Sequence, residues 1–222
     1  MYDKFAKSVA SNILAWGDLY RQEYPWRYLD DTYLVLISEF MLHRTQVSQV
    51  EKIYRRFTTE FPNLKSFALG DHQLAKSILA PLGLNWRIES MIKALLWVWN
   101  EYRHVPNDVD ELMAIPGVGG YIANATVCFT KNVPLPLVDT NTVRVTGRLF
   151  GLDLSGEARR RKEMLSAIES ITPDERPRDF YYSIIDLAHI ICKPKKPACS
   201  DCPLLSISCN YGTNLYQAKG SQ

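Results

Sequence analysis

The sequence predicts an all-α protein, and three observations carry that expectation. Apolar residues recur at helical spacing, as at Phe5, Val9, Ile13, Trp16 and Leu19. No run alternates convincingly enough between apolar and polar residues to make a strand. Prolines punctuate the periodic segments, notably Pro25, Pro62 and Pro81, and Asn63 stands where one helix needs an N-cap. With 222 residues, 46% of them hydrophobic, the chain can bury a substantial core as one domain or two small ones.

Taken in order, residues 3–22 read as a helix that Pro25 stops. Residues 32–43, TYLVLISEFMLH, are almost all apolar, so this helix is expected to be buried on most sides. Helices follow over about 46–60, 64–69, 72–80 and 86–103. Residues 109–130 read as two helices around a glycine hairpin, and VPLPLV at 133–138 as extended chain. Further helices fall near 140–150, 157–171 and 178–191, before a cysteine-rich tail.

Composition excludes several classes. No apolar run reaches the roughly 18 residues of a membrane span. The first twenty residues lack the apolar core of a signal peptide. A cytoplasmic protein with no membrane partner is expected. The net charge of +2 is too small to indicate nucleic-acid binding by itself. A basic surface must be local, with residues 159–162 and 193–196 as candidates or as ordinary solvated surface.

The chain is organised around residues 115–148, IPGVGGYIANATVCFTKNVPLPLVDTNTVRVTGR. Gly117 and Gly119 suit backbone conformations that a Cβ resists. The helix after Gly120 begins with amide N–H groups suited to a phosphate oxygen. The far end presents one carboxylate, Asp139. LMAIPGVGGYIANA resembles the helix–hairpin–helix of the DNA glycosylases related to endonuclease III. LVDTNTVRVTGR resembles the segment that bears their catalytic aspartate. Asp139 lies 18 positions after Tyr121, as in that family.

The resemblance covers nearly all of residues 20–210 and implies a two-domain glycosylase fold. Residues 23–134 would form a six-helix barrel with the helix–hairpin–helix. Residues 1–22 and 135–222 would form a second helical domain with a 4Fe–4S cluster loop. It implies a double-stranded DNA partner carrying a mismatched or damaged base, a monomer, and a place beside the nucleoid in a prokaryote. The hairpin residues Gly117, Val118, Gly119 and Gly120 would grip a phosphate, with room for a cation on their carbonyls.

Glu39 places a carboxylate in an otherwise apolar helix. One reading is a surface residue on the helix's polar stripe. The other is a buried acid, which burial would keep protonated more readily. SEFMLHRTQV resembles the corresponding motif of the MutY adenine glycosylases and of the Mig-type thymine/uracil mismatch glycosylases. By that resemblance Glu39 contacts the base or water, and His43, Arg44, Thr45 and Gln46 push into the base stack. An ordinary phosphate contact is the alternative for Arg44.

Bifunctional members of the superfamily carry a Schiff-base lysine where this chain has Tyr121. The resemblance therefore implies a monofunctional enzyme that uses water and lacks lyase activity. Asp139 would stabilise positive charge at C1′ and orient the water. Its position alone equally suits an N-cap. Asp186 reads as a structural acid bonded to backbone.

Five cysteines are present. Cys128 reads as core. Cys192, Cys199, Cys202 and Cys209 fall within 18 residues, which suits zinc, a 4Fe–4S cluster or, as a minor option, disulfides. ICKPKKPACSDCPLLSISC resembles the terminal 4Fe–4S loop of endonuclease III, MutY and Mig, which selects the cluster. The family's intervals are six, two and five residues. Here they are six, two and six, so the loop must absorb one extra residue before Cys209.

LGLNWRIESM, with Leu84 and Asn85 in the DNA-facing loop, resembles the Mig segment and lacks MutY's paired tyrosines. The chain also ends 13 residues after Cys209, where MutY continues into another domain. Removal of thymine or uracil opposite guanine is therefore expected. The rivals are adenine removal opposite 8-oxoguanine or guanine, a non-catalytic DNA-binding iron–sulfur protein, and an iron–sulfur redox sensor.

Overall fold

The computed structural model describes residues 2–43, 45–83 and 85–220, with backbone alone at 2–3 and 216–220. Among them every regular element is helical. No described helix is long and apolar enough to cross a membrane. The chain divides into two compact units, Glu23–Asn132 and Met1–Gln22 with Val133–Gln222.

In the first of these units, α2 (Thr32–Leu42) is the central rod. Eight of its eleven residues are buried, as its unbroken apolar run requires. Asp31 starts it by accepting from Leu34 N. It packs on α3 (Val47–Glu60) and on α8 (Gly120–Lys131). Two shorter helices, α4 (Leu64–Ala68) and α5 (His72–Leu79), pack on α6 (Asn85–Glu101). Asn63 and Ser66 form a reciprocal capping box at the start of α4. Phe57, Phe61 and Phe67 interlock there, with ring centroids 5.1–6.0 Å apart. A 3-10 turn, Ala80–Leu82, then leads to Gly83. Finally α7 (Val109–Met113), capped by Asp108, packs on α8.

In the other unit, α1 (Tyr2–Tyr20) lies on α11 (Pro177–Ile190) and α10 (Lys162–Ile171). The approach is close at Gly17, where a Cβ would sit 1.8 Å from Ser183 Oγ. At the end of α1, Gln22 N donates to Asp186 Oδ2 at 2.8 Å. That is the backbone bond expected of this buried acid. Another helix, α9 (Thr140–Phe150), packs on α10, α11 and α12 (Asn210–Gly220).

Two segments depart from the sequence-based expectation. The helix expected from 157 starts at Lys162, and Ala158–Arg160 is a 3-10 turn. Arg161 is extended between them because its guanidinium is tied to Asp153 Oδ2 at 2.7 Å and to Ser155 O at 3.0 Å. The tail after the last cysteine forms α12. Its sequence, NYGTNLYQAKG, has little amphipathic pattern, and its placement comes from packing on α9.

Candidate active site

The hairpin between α7 and α8 is built on one unusual backbone angle. Gly117 stands at φ +87°, and a Cβ there would meet Ser90 Oγ at 2.6 Å. Only glycine satisfies both conditions. Val118 is buried and donates its N–H to Ile115 O at 3.0 Å, which closes the turn. Gly119 corrects the expectation from sequence. It caps α8 at φ −100°, an angle open to any residue. What Gly119 and Gly120 contribute is space, since a Cβ on either would meet nothing within 4 Å. The first turn of α8 is thus left bare, with its leading amides at the surface end of the helix dipole. Tyr121, half-buried, belongs to that turn.

Glu39 is 5% exposed, so the surface-stripe reading fails. Its helix, α2, packs on α8, which carries Tyr121. His43 ends α2 and is exposed, and Gln46 is the exposed N-cap residue of α3 without a side-chain cap bond. Thr45 accepts from Arg87 Nη2 at 2.9 Å. Asn85 is exposed at the start of α6. Arg44 and Leu84 lie outside the described residues.

Asp139 belongs to the other unit and is the N-cap of α9. Its Oδ1 accepts from Thr142 N at 2.7 Å, and its Oδ2 accepts from Asn141 Nδ2 at 2.8 Å. Capping and a chemical role do not compete here, because the cap itself orients the carboxylate. Asn141 is oriented in turn, since its Oδ1 accepts from Arg144 Nη2 at 3.1 Å. Arg144 also donates to Cys192 O at 2.8 Å and Ala188 O at 3.0 Å. Burial pushes the Arg144 pKa down, while the charges of Cys192 and Asp139 work against that shift.

Those carbonyls open the cysteine loop. Cys192, Cys199, Cys202 and Cys209 all line one small cavity. None of the five cysteines is in a disulfide, and Cys128 is core. Burial pushes the Cys202 thiol up to about 11, with the other three cysteines adding to the shift, and also raises Cys209. Ser208 takes a left-handed conformation, φ 66°, immediately before Cys209. Arg148 closes one side. It donates to Lys193 O at 2.7 Å and Pro194 O at 2.9 Å, approaches Cys192 Sγ at 3.3 Å, and stacks 4.6 Å from the Tyr211 ring. Among the described residues, no three His, Cys, Asp or Glu side chains are grouped as ligands of a single ion.

Of the two basic runs, Arg159 and Arg160 pair with Glu157, and Arg161 pairs with Asp153. Two carboxylates thus offset part of the charge of that run. Lys193, Lys195 and Lys196 are exposed. Sequence reasoning missed Asn141, Arg144 and Arg148. The i, i+4 spacing of the two arginines on α9 was the one available signal.

Residues 103–129 match the helix–hairpin–helix motif family. The chain is 32% identical over 212 residues to a thymine/uracil-DNA glycosylase of Methanothermobacter thermautotrophicus, covering 94% of this chain and 95% of that one. It is also 32% identical over 195 residues to an adenine DNA glycosylase of Mycolicibacterium smegmatis, covering 86% of this chain and 66% of that one. Its structure superposes on that of a thermostable thymine-DNA glycosylase with a TM-score of 0.85 and 30% identity, over 95% of this chain and 98% of the other. The chain therefore belongs to the helix–hairpin–helix DNA glycosylase superfamily of endonuclease III and MutY, in the group of the thymine/uracil glycosylases.

Proposed function

We propose that this protein is a monofunctional DNA glycosylase of base excision repair, and that it removes thymine or uracil opposite guanine. The observation that carries the chemistry is the held carboxylate of Asp139, fixed by Thr142 N and Asn141 Nδ2. The similarity to thymine/uracil-DNA glycosylases over nearly the whole chain supports the choice of base. The DNA partner is a duplex with a wobble pair, which flips more readily than a canonical one. The enzyme acts as a monomer in the cytoplasm, and residues 23–134 serve as the six-helix barrel of the family.

Hydrolysis breaks the bond between C1′ and the base nitrogen. A water oxygen takes its place at C1′, and the departing base leaves with the bonding electron pair. Asp139 stabilises the cationic sugar and takes the water proton. Glu39 contacts the base or the water from its buried position on α2. Tyr121 lines the sugar side and offers no amine, so no Schiff base forms. The bare turn at Gly119 and Gly120, with Gly117 and Val118, holds a phosphate. By the family resemblance, His43, Arg44, Thr45 and Gln46 push into the gap left by the base, and Leu84 and Asn85 belong to a DNA-binding loop. A cation on the hairpin carbonyls belongs to the same reading.

The four loop cysteines fit a 4Fe–4S cluster. They line one cavity, and Arg148 brings positive charge to the first of them. Such a cluster would supply structural cross-linking, and thereby hold the exposed Lys193, Lys195 and Lys196 toward DNA phosphates. Iron and sulfide analysis of anaerobically purified protein tests this. Stoichiometric zinc in their place would assign the loop to a zinc site.

The activity is tested with labelled duplexes containing T·G, U·G, A·G and A·8-oxoguanine, cleaved with and without alkali. Alkali-dependent cleavage of T·G and U·G is expected. Cleavage at A opposite 8-oxoguanine would move the protein to the adenine group. Tight binding without product would make it a non-catalytic DNA-binding protein.

A further inference from the structure

One corner of the unit Glu23–Asn132 is joined in a way the chemistry above does not use. Arg87, in the first turn of α6, is 4% exposed. Its Nη2 donates to Thr45 Oγ1 at 2.9 Å and to Leu82 O at 3.3 Å. It thus ties the segment after α2 to the 3-10 turn before α6. Gln49 adds a second tie, from α3 to Pro81 O. The Nη1 of Arg87 is buried and finds no partner among the described residues. Burial pushes the Arg87 pKa down. That nitrogen is a buried donor left over after the two bonds made by Nη2.

Beside it, Trp86 is 60% exposed. The other four tryptophans are buried or half-buried: Trp16 and Trp26 at 8% and 4%, Trp97 and Trp99 in the intermediate range. An indole face stacks on any base. Asn85, next to it, is exposed as well. The acidic side chain one turn along, Glu89, is neutralised by Lys76 at 2.8 Å. The surface around Trp86 therefore does not repel phosphate.

We propose that Trp86 is a DNA-stacking residue, and that Arg87 is the positioning residue that holds its helical turn against the segment of Thr45. The inference rests on the reading of this chain as an enzyme of duplex DNA. The two joined segments then meet the base stack together, with the indole packing on a base uncovered when its partner leaves the helix. Trp86 lies within the segment LGLNWRIESM, but the resemblance bears only on Leu84 and Asn85 and gives the indole no role.

The single exposed indole makes the test direct. Tryptophan emission and single-turnover excision are followed on a U·G duplex for the wild type, Trp86→Phe, Trp86→Ala and Arg87→Lys. Saturating duplex is expected to quench wild-type emission and shield it from acrylamide. Trp86→Phe should lose that change and excise at a rate between those of the wild type and Trp86→Ala, because a smaller phenyl ring still stacks. Trp86→Ala should lose about 10-fold or more in affinity or excision, the range of one base–aromatic stack. Arg87→Lys keeps the charge without the fork, and should weaken the quench while its far-ultraviolet circular dichroism stays that of the wild type. Wild-type emission that ignores saturating duplex, or Trp86→Ala that binds and excises normally, would overturn the proposal. Arg87→Lys with full quench and full activity would remove its positioning part. A wild type that quenches but excises nothing would sink the proposed glycosylase activity and leave the stacking role standing.

Discussion

Asn141 donates its side-chain amide to Asp139 Oδ2 at 2.8 Å, two residues away on the first turn of α9. The bond makes the orientation of the candidate catalytic carboxylate depend on a neighbour. That neighbour is itself held by Arg144, which grips the carbonyl of the first loop cysteine.

Replacing the carboxylate separates chemistry from stability. Asp139→Asn keeps an oxygen for Thr142 N but turns an amide NH2 toward the Asn141 amide, whose bond Oδ2 accepts in the wild type. Its melting temperature should therefore fall by less than that of Asp139→Ala. Its single-turnover excision should fall by about 100-fold or more, the scale of a lost acid–base group. Asp139→Ala should lose the activity and also about 1 kcal/mol of stability with the cap. Full excision by Asp139→Asn would show that another group carries the charge.

Arg144→Met tests the second link. The change leaves Ala188 O without its guanidinium donor, leaves Cys192 O only the 3.4 Å bond from Arg148 Nη1, and frees Asn141. A loss of about 1–3 kcal/mol in urea unfolding is expected for the unpaired groups. A fall in single-turnover rate beyond that seen for equally destabilised variants should accompany it. A rate unchanged at saturating protein would uncouple Arg144 from Asp139.

At Gly17 two opposing effects can be ranked. Alanine would gain about 1 kcal/mol in helix propensity. Its Cβ, however, would lie 1.8 Å from Ser183 Oγ and 2.6 Å from Ser183 Cβ, so α1 must move off α11. Overpacking of this kind costs about 1–3 kcal/mol, and the fixed Cβ contact puts this case at the upper end. Gly17→Ala should therefore melt several degrees lower by calorimetry. Adding Ser183→Ala leaves the Cβ clash in place and should not restore the loss. Ser183→Gly should restore part of it.

Alkaline stability follows from two buried phenols. Burial pushes Tyr33 and Tyr54 well above the ordinary tyrosine range. Their hydroxyls donate to Phe61 O at 3.0 Å and Leu34 O at 3.2 Å. The folded chain thus keeps protons that the unfolded chain releases above about pH 10. Stability should be level below that pH and fall as pH rises past it. Urea midpoints at closely spaced pH values would show the slope, and Tyr33→Phe should make it shallower. An equal slope in that variant would assign the alkaline loss elsewhere.

Much of this protein was legible from local sequence because the determinants are local. The apolar run of residues 32–43 determined a helix buried on most faces, and α2 is one. Asn63 and the prolines marked where helices begin and end. The hairpin needed glycine at 117, where φ is +87°, although at 119 the gain is open space and not backbone freedom. The four clustered cysteines named their own cavity.

What only the tertiary structure decided rests on contacts between residues far apart in the chain. Whether Glu39 is surface or core depends on what packs over α2, and periodicity does not say that. The start of α10 at Lys162 depends on Arg161 reaching back to Asp153, and α12 depends on the face of α9 that receives it. The orientation of Asp139 runs through Asn141 and Arg144 to the carbonyl of Cys192, 48 positions beyond Arg144. A side chain's partner at that separation is set by how helices dock, so hydropathy and motif spacing carry no record of it.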